Sequence, residues 1–121
     1  MLIRREAESD VETVASIIRE AFARPDLDHG EPPPEVALLA ALREAVGWLP
    51  ELSWVAEIGG EVVGHCVSTR ATVGDTGVVG LGPIGVRVEH QRAGVGSALV
   101  HASIGAADAL GFPLIGLLGS T

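Results

Sequence analysis

The 121-residue chain predicts one domain of the α/β class in its α+β sense, with helices gathered early and strands late. Three observations carry this. Only Gly30 and Gly47 precede residue 59, and the other fourteen of the sixteen glycines follow it. Apolar residues recur at helical spacing in the first half, whereas the second half holds β-type runs separated by glycine-bearing turns. The length is that of a single domain, residues 1–121, with enough chain to bury a core.

Leu2 to Arg5 reads as a short strand. Ser9-Asp-Val-Glu12 fits a capping box, in which the Ser hydroxyl and the Glu carboxylate satisfy first-turn backbone donors, so a helix is expected to start there. Val11, Val14, Ala15, Ile18 and Phe22 form its apolar stripe, which ends near Arg24-Pro25. Pro25 to Pro34 holds four prolines among Asp26, Asp28, His29, Gly30 and Glu31. Too few residues precede this stretch to fold alone, so it is a loop, either beside a substrate entrance or simply crossing the surface. Glu35 to Val46 is a second helix opened by Pro34, with Val36, Leu39, Ala40 and Arg43 on one face, and Gly47 and Pro50 stop it.

Leu52 to Ile58 and Glu61 to Thr69 flank Gly59-Gly60, and two glycines supply the positive φ angles of a tight antiparallel hairpin. Val73 to Gly77 turns the chain again, and Val78 to Val88 makes another strand. Gly82-Pro83 interrupts it, and because proline removes a ladder donor the strand should be bulged or open there. Gly94 to Leu110 is a helix with Val95, Leu99, Ala102, Ala106 and Leu110 toward the sheet, closed by Gly111 and Pro113. Leu114 to Leu118 is a last strand, expected to be buried on both faces.

All eight basic residues are Arg, against sixteen Asp and Glu, for a net charge of −8. That balance repels a polyanion and argues against nucleic acid. An amine-bearing substrate fits it better, though an acidic surface is usually only a solubility device. Without lysine there is neither Schiff-base chemistry nor a P-loop. Cys66 stands alone and no Cys/His cluster has metal-ligand spacing, so neither an internal disulfide nor a metal is expected. The opening Met1-Leu-Ile-Arg-Arg places charge where a secretory apolar region would begin, and no apolar run approaches the ~18 residues of a membrane span. A cytoplasmic chain without a membrane partner is the expectation.

The informative stretch is Val86-Arg-Val-Glu-His-Gln91-Arg92-Ala93-Gly94-Val95-Gly96-Ser97-Ala98-Leu99-Val100, a strand running through a short loop into a helix. A helix start exposes unpaired N–H groups and the positive end of its dipole, and glycines let an anion approach that backbone. A diphosphate is the natural guest; a tight strand-to-helix turn that needs small residues is the competing reading. A dinucleotide fingerprint fails because position 99 is Leu rather than the third Gly of G-x-G-x-x-G, and a P-loop fails for want of Lys.

The stretch resembles the signature of the GNAT superfamily of acyl-CoA N-acyltransferases: Gln or Arg, two residues of any kind, Gly, one of any kind, then Gly or Ala. Gln91, Gly94 and Gly96 meet it. Gly60-Glu-Val-Val-Gly-His-Cys-Val-Ser68, followed by Leu81-Gly-Pro-Ile-Gly-Val86, looks like the YhbS-like branch in order and spacing. The resemblance spans essentially the whole chain and implies a mixed, mainly antiparallel sheet flanked by helices. It implies acetyl-CoA as cosubstrate, lying where the strand ending near Val88 splays from Leu114 to Leu118. Main-chain groups of Ile84 and Val86 would bind the pantetheine arm. Backbone N–H groups of Arg92, Ala93, Gly94, Val95 and Gly96, with Ser97, would hold the pyrophosphate, and the Val86 N–H would polarise the thioester carbonyl. The acetyl group would pass directly to the primary amine of a small molecule or peptide, with a base to take the ammonium proton and an acid for the thiolate.

The sequence departs from that pattern at Leu117-Leu-Gly-Ser-Thr121, where relatives continue into a tyrosine-bearing helix and two further strands; this chain has no tyrosine. The fold is therefore expected to be C-terminally incomplete. A non-catalytic acyl-CoA-binding or assembly module is the alternative, and a homodimer through the last strand is a further expectation. His65 matches a recurrent position of the look-alike branch and is the candidate base, against a histidine merely satisfied within the sheet. Glu57, Glu61 and Asp75 are alternative bases or solvated charges, Ser68 a donor or turn cap, and Ser120 a substitute acid. Cys66 should point away from His65, because adjacent strand residues face opposite ways. Trp48 and Trp54 read as core or loop anchors, and Arg92 as a phosphate-steering or simply exposed charge.

Overall fold

The computed structural model describes residues 1–23, 31–112 and 114–117. One sheet runs in the order β1 (Leu2–Arg5), β2 (Trp48–Ile58), β3 (Glu61–Val73), β4 (Thr76–Val86), β5 (Leu114–Leu117). The first four strands are antiparallel neighbours and β5 runs parallel to β4. Helices α1 (Val11–Ala21) and α2 (Pro34–Glu44) follow β1, and α3 (Val95–Ala109) connects β4 to β5. This is the mixed, mainly antiparallel α+β architecture expected.

Two glycines mark the two faces of the sheet. A Cβ on Gly85 would lie 2.8 Å from Ile18 Cδ1, so its absence lets α1 press onto β4. A Cβ on Gly64 would lie 3.0 and 3.1 Å from Val95 Cγ1 and Leu99 Cδ1, which places α3 on the other face. Val14, Ile17, Ile18 and Leu39 fill the α1 side with Val55 and Val67, while Val95 and Leu99 fill the α3 side with Ala56, Val63 and Cys66. Each fully buried Ile or Leu stabilises by roughly 1.5–3 kcal/mol, so the helices are held by these stripes rather than by propensity.

The Gly59-Gly60 hairpin forms as expected, with φ of 60° and 83°. Cys66 pairs with Ile84 and Ser68 with Leu81, so Gly82 and Pro83 together oppose the single residue Val67. That is the bulge expected from the proline.

Other expectations are corrected. Ser9 lies inside a short 3-10 turn, Glu8–Asp10, and does not cap α1. Asp10 performs the reach-back instead, its Oδ2 accepting the Ala7 N–H at 2.7 Å, because Arg4 grips the same carboxylate at 2.8 and 3.2 Å. β2 starts at Trp48, not Leu52, and contains Pro50. The proline is tolerated because β1 pairs only with Trp54 to Glu57 and leaves that stretch without a strand neighbour on one side among the described residues. β3 runs on to Val73, and β4 begins at Thr76 and ends at Val86, so the connecting turn shrinks to Gly74-Asp75. On α3 the buried positions are Val95, Leu99, Ser103 and Ala107, whereas Ala102 and Ala106 are half-buried and Leu110 is exposed just beyond the helix. On α2, Leu39 is buried but Ala40 is exposed. The central part of the proline-rich loop, the end of the first helix beyond Ala23, Pro113, Leu118 and Ser120 lie outside the described residues, as do the side chains of β5 and hence its expected burial on both faces.

Candidate functional site

β4 is held on one side by β3 throughout, but pairing with β5 extends only from Val79 to Leu81. Among the described residues, Gly82 to Val86 therefore have no strand neighbour on that outer edge. The Arg87 N–H donates to Val63 O at 2.8 Å, toward β3. Hydrogen-bonding directions alternate along a strand, so the N–H and C=O of Val86 and Ile84 are turned to the free edge. The Gln91 side chain closes part of that edge, its Nε2 donating to Val86 O at 3.0 Å. The Val86 N–H remains the outward donor.

A 3-10 turn, Val88–His90, leads to Arg92 and Gly94, both left-handed at φ 65° and 84°. A non-glycine at positive φ costs energy and concentrates at functional sites. Here the two left-handed residues turn the chain from the end of β4 into the start of α3. Ala98 is the first residue of α3 whose N–H is taken, by Gly94 O at 3.1 Å, so the N–H groups of Val95, Gly96 and Ser97 precede the helical ladder. A Cβ at Gly94 would meet nothing within 4 Å, and one at Gly96 only Val86 Cγ2 at 4.0 Å. The space over the helix start is thus open and adjoins the end of β4. Gln91, Arg92, Ala93, Gly94 and Ser97 are exposed, while the Val95 side chain is buried in the core and offers only its backbone.

Glu20 of α1 secures this turn. Its Oε2 accepts the Val88 N–H at 2.7 Å and its Oε1 faces Arg87 Nη1 at 3.2 Å. No local pattern marks Glu20, because its partners lie 67 and 68 residues away in the chain.

His65 sits on β3 opposite Gly85, between the partners of Ile84 and Val86. It is fully buried, and burial first, then Arg43, pushes its pKa down to about 4, with Glu6 pulling the other way. Its Nε2 lies 2.9 Å from Ser53 Oγ, whose hydroxyl donates to Glu6 Oε1 at 2.8 Å, and Arg43 grips Glu6 at 2.6 and 2.8 Å. Burial favours a protonated Glu6, but Arg43, His65 and Ser53 together hold its pKa below the ordinary range. Cys66 faces the other way, its Sγ 3.2 Å from Ser103 Oγ, and burial pushes the thiol up to about 11.

The remaining candidates are dispersed. Glu57 is tied to Arg4 at 3.0 Å, and Glu61 is exposed at the hairpin. Asp75 is exposed at the β3–β4 turn, the opposite end of the sheet from Val86. Ser68 is buried with no partner for its hydroxyl among the described residues. The tryptophans are anchors, with Arg43 stacked 4.9 Å over Trp48 and Arg5 5.5 Å over Trp54. Among the described residues no group of His, Cys, Asp and Glu could hold a metal, and no helix is long and apolar enough to cross a membrane.

The sequence and the fold both have counterparts among known proteins. It is similar to a GNAT family acetyltransferase from Brucella melitensis, solved in complex with acetyl-CoA: 31% identity over 98% of this chain and 77% of that one, TM-score 0.80. It is also similar in fold to the YhbS N-acetyltransferase of Escherichia coli, solved with CoA, at 24% identity over 96% of this chain and 61% of that one, TM-score 0.79. An aminoglycoside 6'-N-acetyltransferase from Acinetobacter haemolyticus shares the fold at 15% identity, covering 98% of this chain and 80% of that one, TM-score 0.67. A search of curated proteins gave no match. The model of the acetyltransferase (GNAT) family matches residues 13–120, and the chain belongs to that family.

Proposed function

We propose that this chain binds acetyl-CoA and transfers its acetyl group to a primary amine of a small molecule or peptide. The single observation that carries the reading is the β4 edge beyond Leu81, without a strand neighbour among the described residues, running directly into an open, left-handed turn at Arg92 and Gly94. Main-chain groups of Ile84 and Val86 hold the pantetheine arm on that edge. The N–H groups of Arg92, Ala93, Gly94, Val95 and Gly96, with the Ser97 hydroxyl, hold the pyrophosphate at the dipole's positive end. Gln91 acts one step back, fixing the Val86 carbonyl. Its neighbour donor, the Val86 N–H, faces the thioester oxygen, where a positioned donor is worth about 2.7–4 kcal/mol in the transition state.

The amine nitrogen attacks the thioester carbon, a C–N bond forms, and the C–S bond breaks with its electrons leaving on the thiolate. His65 takes the ammonium proton through a water, since its ring is enclosed, and solvent protonates the thiolate. The whole chain acts as one coenzyme-binding domain with cytoplasmic substrates, and the acidic balance favours a cationic acceptor.

The test is calorimetric titration with acetyl-CoA followed by thiol release against a panel of amines. Micromolar binding with amine-dependent release is expected. Binding without release would reduce the chain to an acyl-CoA-binding module, and no binding would overturn the assignment of the turn.

A further inference from the structure

Histidine carries two ring nitrogens, and in His65 only one has a partner. Nε2 meets Ser53 Oγ at 2.9 Å, whereas Nδ1, equally enclosed, has no partner among the described residues. Counting protons decides the tautomer. Ser53 has one hydroxyl hydrogen, and it is given to Glu6 Oε1 at 2.8 Å. Glu6 has none to return, because Arg43 occupies both its oxygens as a carboxylate. The hydrogen on the 2.9 Å contact therefore belongs to Nε2, and Nδ1 keeps a bare lone pair.

We propose that Glu6 and Ser53 are positioning residues that hold His65 as the Nε2–H tautomer, so that Nδ1 is the atom that accepts a proton from a water or a ligand donor. This rests on the acetyl-transfer reading and specifies its base. A polar tie of structural purpose alone would spend both nitrogens, because an unpaired buried acceptor costs roughly 1–3 kcal/mol. The placement fits the chemistry: His65 is directly cross-strand from Gly85, the residue between Ile84 and Val86. Paired Cα atoms of antiparallel strands lie about 5 Å apart, so the imidazole is rooted one strand from the thioester segment.

In the step, the acceptor's ammonium gives a proton to a water at Nδ1, and that water gives one of its own to the lone pair. The amine keeps its electron pair for the C–N bond. The imidazolium so formed retains Nε2–H on Ser53 and stands 4.0 Å from the Glu6 carboxylate, which offsets its charge, while Arg43 opposes it. Before the step the ring is neutral at neutral pH, so the lone pair is available.

The experiment is nitrogen-15 NMR of the histidine rings in the intact chain, with His65 assigned through a His65→Gln variant among the four histidines. In the wild type Nδ1 is expected to show the downfield shift of an unprotonated nitrogen and Nε2 that of a protonated one. In Ser53→Ala the two tautomers mix, and kcat for amine-dependent CoA release falls by about 10- to 100-fold, a share of the 10²–10⁴ supplied by a positioned base, with KM for acetyl-CoA changed by less than about twofold. Ser53→Thr, which keeps the hydroxyl, restores both readouts. A protonated Nδ1 in the wild type overturns the proposal, as does Ser53→Ala with unchanged kcat. Failure of the wild type to bind acetyl-CoA would instead sink the acetyl-transfer reading, and the ring shifts, which need no ligand, would still decide the tautomer.

Discussion

The turn between β4 and α3 and the cluster around His65 flank the same strand end but are built on opposite principles. The turn is open and made of backbone: its donors are N–H groups, and its glycine positions face empty space. The cluster is closed and made of side chains, Arg43, Glu6, Ser53 and His65, each touching the next within hydrogen-bond distance. A backbone site tolerates changes in most of its side chains and fails where conformation or open space is lost. A side-chain network depends on every member, since removing one leaves a buried partner unsatisfied.

Gly94→Glu should have the largest effect, because it breaks the turn on both counts. It places a carboxylate where a diphosphate would sit and forces a side chain to φ 84°. Acetyl-CoA binding should become undetectable by calorimetry. Gly94→Ala, which carries only the conformational strain of roughly 1–2 kcal/mol, should keep weakened binding. Equal affinity of Gly94→Glu and wild type would show that the anion site lies elsewhere.

For the cluster the corresponding test is pH. The pKa of His65 is lowered from 6.5 to about 4, so between those values the unfolded chain binds a proton that the native chain does not. Stability is therefore full above pH 6.5 and lost as pH falls toward 4, by about 3 kcal/mol for that group. Glu6 and Asp10, both lowered below ordinary carboxylate values of 4.5 and 3.8, extend the loss to still lower pH. Urea midpoints measured from pH 7 to 4 should fall steadily in the wild type and flatten in His65→Gln. A wild-type profile flat across pH 6.5–4 would contradict an enclosed neutral imidazole.

The same contrast explains what could be read from the residues alone. The turn was legible because Gln91, Gly94 and Gly96 act within six consecutive positions, and the Gly59-Gly60 hairpin and the Gly82-Pro83 bulge were legible for the same reason. Cap assignment failed at Ser9 because Arg4 recruits Asp10, a preference no local pattern carries. The buried face of α3 lies one position from the expected Ala102 and Ala106, since Ser103 and Ala107 continue the stripe of Val95 and Leu99, and the polar Ser103 is accommodated there by Cys66. The cluster was invisible except for His65: Glu6 and Ser53 lie 47 residues apart, Glu6 and Arg43 37, and nothing in spacing announces them. Glu20 belongs to the same class.

Glu20 gives a smaller, graded test of whether the open turn depends on the packed side of the sheet. Its carboxylate is 38% exposed, so the bonds to Val88 and Arg87 are worth about 1 kcal/mol after solvent screening. Glu20→Ala should weaken acetyl-CoA binding about fivefold, and Glu20→Gln, which still offers an acceptor to the Val88 N–H, by less. Unaltered affinity in Glu20→Ala would mean that the turn holds its shape without α1.

The smallest expected effect is on Cys66, and it separates the sealed face from the open one. The thiol is fully buried, its pKa is pushed up to about 11 by burial, and among the described residues its one polar contact is Ser103. The thiolate that a disulfide reagent requires is therefore scarce at pH 8 and also unreachable. Labelling in the folded chain should proceed only at the rate of unfolding and accelerate in denaturant. Rapid labelling in native buffer would show that α3 opens from the sheet, and since α3 carries the turn, the coenzyme site would open with it. A silent Cys66 has the converse meaning: the helix start is held rigid on its buried side, and every thiol appearing in the presence of amines and acetyl-CoA is released coenzyme.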